Sequence, residues 1–205
     1  IARARNALAR RALAEEDEAG ARALLDEVLG RDPGNPDALL LRGFLELRSG
    51  RNSDAISTVR RVLRDRPESD QAHTLLGTAY LANGAEGLAR NSLETAVYLA
   101  PDNLTAVKRL SELHLRAGDY ERAQAILEPL VSAGSADPDA VRTLIRTKLE
   151  LGEYADASRW AGYLSEKLGE GDVATYVAGL VAMAEGRSRD AETTFRSLLA
   201  DRPDA

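Results

Sequence analysis

A period of 34 residues constrains this chain more than any other feature. Glycines fall at Gly50, Gly84, Gly118, Gly152 and Gly186, and an alanine follows each by five residues, at Ala55, Ala89, Ala123, Ala157 and Ala191. Three residues ahead of each glycine stands an apolar side chain (Leu47, Leu81, Leu115, Leu149 and Met183), and the lattice reaches back to Leu13 and Ala21. Pro33, Pro67, Pro101 and Pro203 keep the same register. Repeats of this length and punctuation are helix-turn-helix units, which cannot bury an apolar face alone and must stack on their neighbours. Six of them account for 204 of the 205 residues. The expected fold is all-α, an α-solenoid in a single array over 1–205, with units 2–35, 36–69, 70–103, 104–137, 138–171 and 172–205.

Within a unit, apolar residues recur at three- and four-residue intervals, as in Leu39, Leu40, Gly43, Phe44 and Leu47, or Ala55, Val59, Val62 and Leu63, which is the signature of a helix with one buried stripe. The turn glycine supplies the left-handed residue that ends the first helix. The Asp, Asn, Glu or Ser that follows it is expected to cap the second helix, and the proline to stop that helix. Three places depart from the pattern. The first unit has Glu15-Glu16-Asp17-Glu18 where later turns have glycine. Pro129 lies inside a second helix and is expected to kink it. The small first-helix residue, Gly43, Gly77 and Gly179 elsewhere, becomes Ser111 and then Ile145, whose bulk is expected to widen the helix spacing.

Composition narrows the function. A net charge of −6 argues against a general phosphate-binding surface and so against nucleic acid as a partner. The chain has no cysteine, and therefore neither disulfides nor thiolate chemistry. No apolar run approaches the roughly 18 residues needed to span a bilayer. The first residue is Ile1 rather than Met, and the ends fall near the repeat register, which reads as a fragment of a longer protein. The compartment, cytoplasmic or periplasmic, is then open, as is the oligomeric state. His73 and His114 are the only histidines and occupy packing positions, without a second ligand at metal spacing. Gly169-Glu170-Gly171-Asp172 has neither a preceding strand nor a following Lys-Ser/Thr, and reads as a turn between units. Trp160 and Tyr163 read as packing residues, and the many Asp and Glu as solvated faces. No nucleophile pair, metal site or cofactor site emerges.

The run Leu76-Gly77-Thr78-Ala79-Tyr80, with Gly84, Ala89 and Pro101, resembles the tetratricopeptide repeat, and the resemblance covers essentially the whole chain. It departs at Arg42, in place of the usual leucine, at Ser111 and Ile145, and at Ser135 and Gly169, where a proline is usual. The resemblance implies a right-handed superhelix whose concave groove, lined by the first helix of each pair, holds a peptide or extended segment of another protein. It implies a non-catalytic scaffold, not an enzyme. The phrase Ala125-Ile126-Leu127-Glu128-Pro129-Leu130 and a composition of 24 Arg to 3 Lys are similar to bacterial repeat proteins of exopolysaccharide export and envelope assembly. Two other classes compete: an RNA-binding array of the pentatricopeptide type, which the period of 34 and the negative charge oppose, and an accessory module of a larger enzyme.

The first-helix residues expected to face the groove are Leu40, Phe44 and Leu47, then Thr74, Thr78 and Leu81. Lys108, Glu112, Leu115 and Arg116 follow with Arg109 beside them, then Arg142, Arg146 and Leu149, and finally Tyr176, Leu180 and Met183. The groove would have apolar ends and a basic middle, suited to an acidic peptide partner. Chaperone-binding members of the resembled family clamp carboxylates with Lys, Asn and Arg. Arg142 and Arg146 match one arm by spacing, but Thr74 and Thr78 stand where the other arm would be, so that function is not carried over.

Overall fold

The computed structural model describes residues 1–134, 137–169 and 171–201. Ser135, Pro203 and, from the turn at 169–172, Glu170 lie outside them. The described residues form helices in antiparallel pairs and no strand. The pairs are α1 (Ala2–Ala14) with α2 (Glu18–Arg31), α3 (Pro36–Arg48) with α4 (Asn52–Asp65), and α5 (Asp70–Ala82) with α6 (Glu86–Leu99). Next come α7 (Leu104–Arg116) and α8 (Tyr120–Ser132), α9 (Pro138–Glu150) and α10 (Tyr154–Leu168), then α11 (Gly171–Ala184) and α12 (Ser188–Asp201). The chain divides into two compact units, Ile1–Leu110 and Ser111–Ala205. In the first, α1, α3 and α5 pack side by side and α2 and α4 each lean on the following pair, around Leu25, Val28, Leu45, Val59, Val62 and Leu93. In the second, α9 packs on α8 and α10, and α10 on α11, around Leu113, Leu127, Val131, Leu144 and Leu164.

The glycine lattice has a single backbone cause. Gly50, Gly84, Gly118, Gly152 and Gly186 take φ between 71° and 75°. Each turn closes with the same bonds: Gly84 N donates to the Leu81 carbonyl at 3.0 Å and Ala85 N to that of Tyr80 at 2.9 Å, and Gly152 with Glu153 does likewise to Leu149 and Lys148. This left-handed stop satisfies the last carbonyls of the first helix. The first unit makes the same turn with Glu16 at φ 61°, and Asp17 N reaches the Ala12 carbonyl at 2.8 Å. A side chain in that region is strained, so Glu16→Gly should stabilise the protein by about 1 kcal/mol, the strain relieved exceeding the added freedom of the unfolded chain. A thermal melt reads this directly; an unchanged or lower melting temperature contradicts it.

Capping differs from expectation. Side-chain caps sit on the first helices: Asn35 accepts from Ala38 N at 3.0 Å, Ser69 from Ala72 N at 3.2 Å, Asn103 from Ala106 N at 3.1 Å and Asp137 from Ala140 N at 2.8 Å. On the second helices, Asp17 caps α2 through Gly20 N at 2.8 Å, while Arg51, Ala85, Asp119 and Glu153 ahead of α4, α6, α8 and α10 make no such bond. Arg51 and Ala85 carry no side-chain acceptor, while Asp119 and Glu153 lie at ψ 67° and 59°, short of the 103° to 112° of Asn35, Ser69 and Asp137 and of the 76° at which Asp17 caps α2.

The small first-helix residue is a contact point between the two helices of a pair. A Cβ on Gly77 would lie 2.6 Å from Leu93 Cγ and 3.2 Å from the Ala89 carbonyl oxygen, and one on Gly179 would lie 2.5 Å from the Phe195 ring. Helix propensity favours Gly77→Ala by about 1 kcal/mol, but the helix backbone at Ala89 cannot yield, and overpacking costs about 1–3 kcal/mol. The variant should therefore melt below the parent protein; a rise would show that the pair can separate freely. At Ile145 the large and small residues of the pair change places. Sixteen residues on, where Gly43, Gly77 and Gly179 face Val59, Leu93 and Phe195, stands Ala161, and both Ile145 and Ala161 are buried. The bulk has moved from one helix to the other. Pro129 lies within α8, which continues to Ser132; Ala125, whose carbonyl loses its donor, is on the exposed face.

Candidate functional site

The inner face of the first unit is mostly structural. On α3, Leu40 and Leu47 are half-buried and Phe44 is exposed, with the Arg48 guanidinium 6.0 Å from its ring centre. On α5, Leu81 is half-buried. Thr74 is 8% exposed, and its hydroxyl donates to the Asp70 carbonyl at 2.8 Å and accepts from Asn103 Nδ2 at 3.0 Å. Thr78 donates to the Thr74 carbonyl at 2.8 Å. Asn6, one repeat before Leu40, likewise donates to Asn35, the cap of α3, at 3.0 Å. This register position, placed in the groove by sequence, ties one first helix to the cap of the next at Asn6 and Thr74. Lys108, half-buried, and Arg109, exposed, lie near the end of this unit.

The second unit gathers a more open set. Leu115 of α7 is buried, Glu112 is half-buried, and Arg116 is exposed with its Nε 3.4 Å from the Glu112 carbonyl. Along α9, Arg142, Arg146 and Leu149 follow at intervals of four and three, which places them on one face. Both arginines are exposed, and Arg142 pairs with Asp139 one turn away. On α11, Tyr176 is about half exposed and rests on Phe195, the ring centres 6.0 Å apart. Leu149 and Glu150 meet Leu180, Met183 and Ala184 across an open groove of about 370 Å³ that Tyr154 also lines. Met183 is 58% exposed there. The structure thus brings together Leu149, Leu180 and Met183, with Arg146 one turn back along α9.

Sequence reasoning singled out Tyr80 and His114 but missed Glu46 and Lys148, which stand at the same step of the repeat. Glu46, Tyr80, His114 and Lys148 share a register and are all buried. Tyr80 Oη accepts from Arg60 at 2.6 Å. His114 Nδ1 lies 3.4 Å from Asp119, while His73, half-buried, meets the Pro67 carbonyl at 2.8 Å through Nε2. Lys148 is 1% exposed, and its ammonium sits 3.0 Å from Glu128, 2.7 Å from Glu153 and 3.4 Å from Asp156. Burial alone would lower the Lys148 pKa, but hydrogen bonds to Glu153 and Glu128 outweigh it and the pKa is raised. Burial likewise works against ionised Glu128, yet the bonds from Lys148 and Gln124 hold its carboxyl below its usual range. These carboxylates, each with 32% to 41% of its side chain exposed, share one buried cation rather than standing apart as solvated groups. The signal was in the sequence: this register carries a different polar side chain in four successive repeats, on a stripe that the apolar pattern reserves for packing.

Among the described residues, no group of three or more acidic, histidine or cysteine side chains is placed to hold a metal ion. No described helix is long and apolar enough to cross a membrane. Trp160 and Tyr163 stack edge to face with ring centres 5.7 Å apart, and the Arg159 guanidinium lies 5.6 Å from the tryptophan ring centre.

A family model described as tetratricopeptide repeat matches residues 12–79 and 80–140. Over 86 residues the chain is 33% identical to tetratricopeptide repeat protein 37 of Xenopus laevis, which covers 42% of this chain and 6% of that protein. The chain therefore spans a small part of the curated relatives it matches. Its fold is similar to that of PilW, described as a widely conserved type IV pilus biogenesis factor, with a TM-score of 0.77 at 20% identity over 100% of this chain and 95% of that one. It is also similar to YrrB, described as a protein with an unusual peptide-binding site, with a TM-score of 0.77 at 14% identity over 88% of this chain and 93% of that one.

Proposed function

Because the chain belongs to the tetratricopeptide repeat family, we propose that it is a non-catalytic scaffold that holds an acidic, extended or helical segment of another protein on the α9–α11 face of its second unit. Family membership supports a protein-interaction role in general. The observation that carries the finer reading is the groove of Leu149, Leu180 and Met183 on the same side of α9 as Arg142 and Arg146. A segment with apolar residues every three or four positions would seat in the groove, and its carboxylates would reach the arginines. As a biological setting we propose bacterial envelope assembly. The arginine-rich, lysine-poor composition and the phrase at 125–130 support it, and the pilus biogenesis role of PilW is of that kind.

Binding of labelled amphipathic peptides, followed by fluorescence anisotropy, tests the reading. A peptide with Asp and Glu on its polar face should bind, and its Lys-substituted counterpart should not. Met183→Asp should weaken the acidic peptide at least tenfold, since it removes the apolar contact that the exposed Met183 offers the peptide, about 1.4 kcal/mol, and sets a like charge beside it. Equal binding of the two peptides, or no effect of the substitution, contradicts the proposal.

A further inference from the structure

The second repeat breaks the pattern at two neighbouring positions and opens a pocket there. The three repeats that follow bury a leucine at the first (Leu76, Leu110 and Leu144), and Tyr80 fills the second in the third repeat. The second repeat has Arg42 and Glu46 instead. Arg42 turns its guanidinium outward to Asp26. Glu46 stays buried, with only 5% exposure. One carboxylate oxygen accepts from Arg42 Nε at 3.3 Å; the other is buried and has no hydrogen-bond partner. The resulting pocket, about 270 Å³, has Leu29, Pro33 and Leu39 as apolar walls and Arg42 and Arg61 as its charged rim. Arg61 is held there by a 2.7 Å bond to the Pro33 carbonyl.

We propose that this pocket binds a small zwitterion with an aliphatic side chain, of the size and charge pattern of a free α-amino acid such as leucine. The ammonium donates to the Glu46 carboxylate, whose buried, unpartnered oxygen reaches it by a turn of the carboxylate about its last side-chain bond; the ligand's carboxylate takes the Arg61 guanidinium, and its side chain lies on Leu29, Pro33 and Leu39. The charge pattern selects this class. A plain amine would meet Glu46 but also two guanidinium groups, and a plain carboxylate would meet the guanidinium groups but be repelled by Glu46. A zwitterion uses both poles. The volume lies just under the roughly 300 Å³ at which drug-sized sites begin, which suits a ligand of a few heavy atoms. A buried acceptor without a donor is unfavourable, so a ligand that supplies one has a specific reason to bind.

Isothermal titration of the whole chain with three matched probes tests this: leucine, isoamylamine, which lacks its carboxylate, and 4-methylpentanoate, which lacks its ammonium. Leucine should bind, and each half-probe at least tenfold more weakly. Glu46→Gln should cost leucine at least tenfold, because a charge-assisted bond becomes a neutral one. Arg61→Gln, at the exposed rim and outside the core, should cost several-fold without touching the fold. The double variant Arg42→Leu with Glu46→Tyr reproduces the Leu76 and Tyr80 pair of the next repeat, and should abolish binding while its circular dichroism stays helical. No heat with leucine, an amine that binds as tightly as leucine, or leucine affinity that survives Glu46→Gln and Arg61→Gln would each overturn the proposal.

Discussion

Lys148→Ala should lower the stability of the protein by about 3 kcal/mol. The lysine is the cation that Glu128, Glu153 and Asp156 share, and it is itself 1% exposed. Removing one side of a buried ion cluster costs about 3–5 kcal/mol, because the other side is left uncompensated. The lower end applies, since the three carboxylates keep between 32% and 41% of their side-chain surface in water. Lys148→Met keeps most of the stem and removes the charge, and should recover only the packing share. The cluster also fixes the pH response. Glu128 has its pKa lowered in the folded protein, so its contribution is present above the unfolded value and is lost as pH falls through the folded one. Lys148 has its pKa raised, so its contribution is present below the unfolded value and is lost as pH rises through the folded one. Stability should thus sag in acid through the carboxylate range and again in strong base. In Lys148→Met the basic limb should vanish. Denaturant melts across pH check this, and a Met variant as stable as the parent protein, with the same pH profile, would remove the cluster from the account.

The second large effect is on binding. Reversing Arg142 and Arg146 to Glu should weaken an acidic peptide by about 2 kcal/mol, roughly 30-fold. Buried charge pairs across an interface are worth about 2–5 kcal/mol when one partner is lost. The lower end is expected because the Arg142 side chain is 43% exposed and already pairs with Asp139, which the peptide must displace. The fold should barely respond, since substitutions on an exposed face stay within about 0.5 kcal/mol. The loss should shrink as salt is added, because exposed charges are screened beyond about 8–10 Å at physiological ionic strength. Unchanged affinity in the reversed protein at low salt would reduce the two arginines to ordinary solvated surface.

The helix pairs, their turns and their close-packed glycines were legible because each rests on a local rule repeated at a fixed step. Even the first turn obeyed it: Glu16 takes the left-handed conformation of the glycines it replaces. What failed needed knowledge of a partner. The capping residues were sought after the turn glycine, where only Asp17 of the first unit makes the bond among the described caps, and most caps lie one helix later, at Asn35, Ser69, Asn103 and Asp137. Ile145 was read without Ala161, its buried counterpart sixteen residues on. Thr74 pointed to the groove by helical register, yet its hydroxyl is taken by Asp70 and Asn103. The open groove along α9 and α11 includes Tyr154, from a second helix, which no first-helix pattern includes.

The central claim is that the partner lies against α11 in the second unit. A photo-reactive phenylalanine analogue in place of Met183 reports this directly, and the same analogue in place of Tyr98, an 85% exposed residue of α6 in the first unit, serves as the control. With the acidic amphipathic peptide bound and the sample irradiated, the account predicts cross-linking from position 183 that excess unlabelled peptide suppresses, and none from position 98. Cross-linking from position 98 with none from position 183 would contradict it.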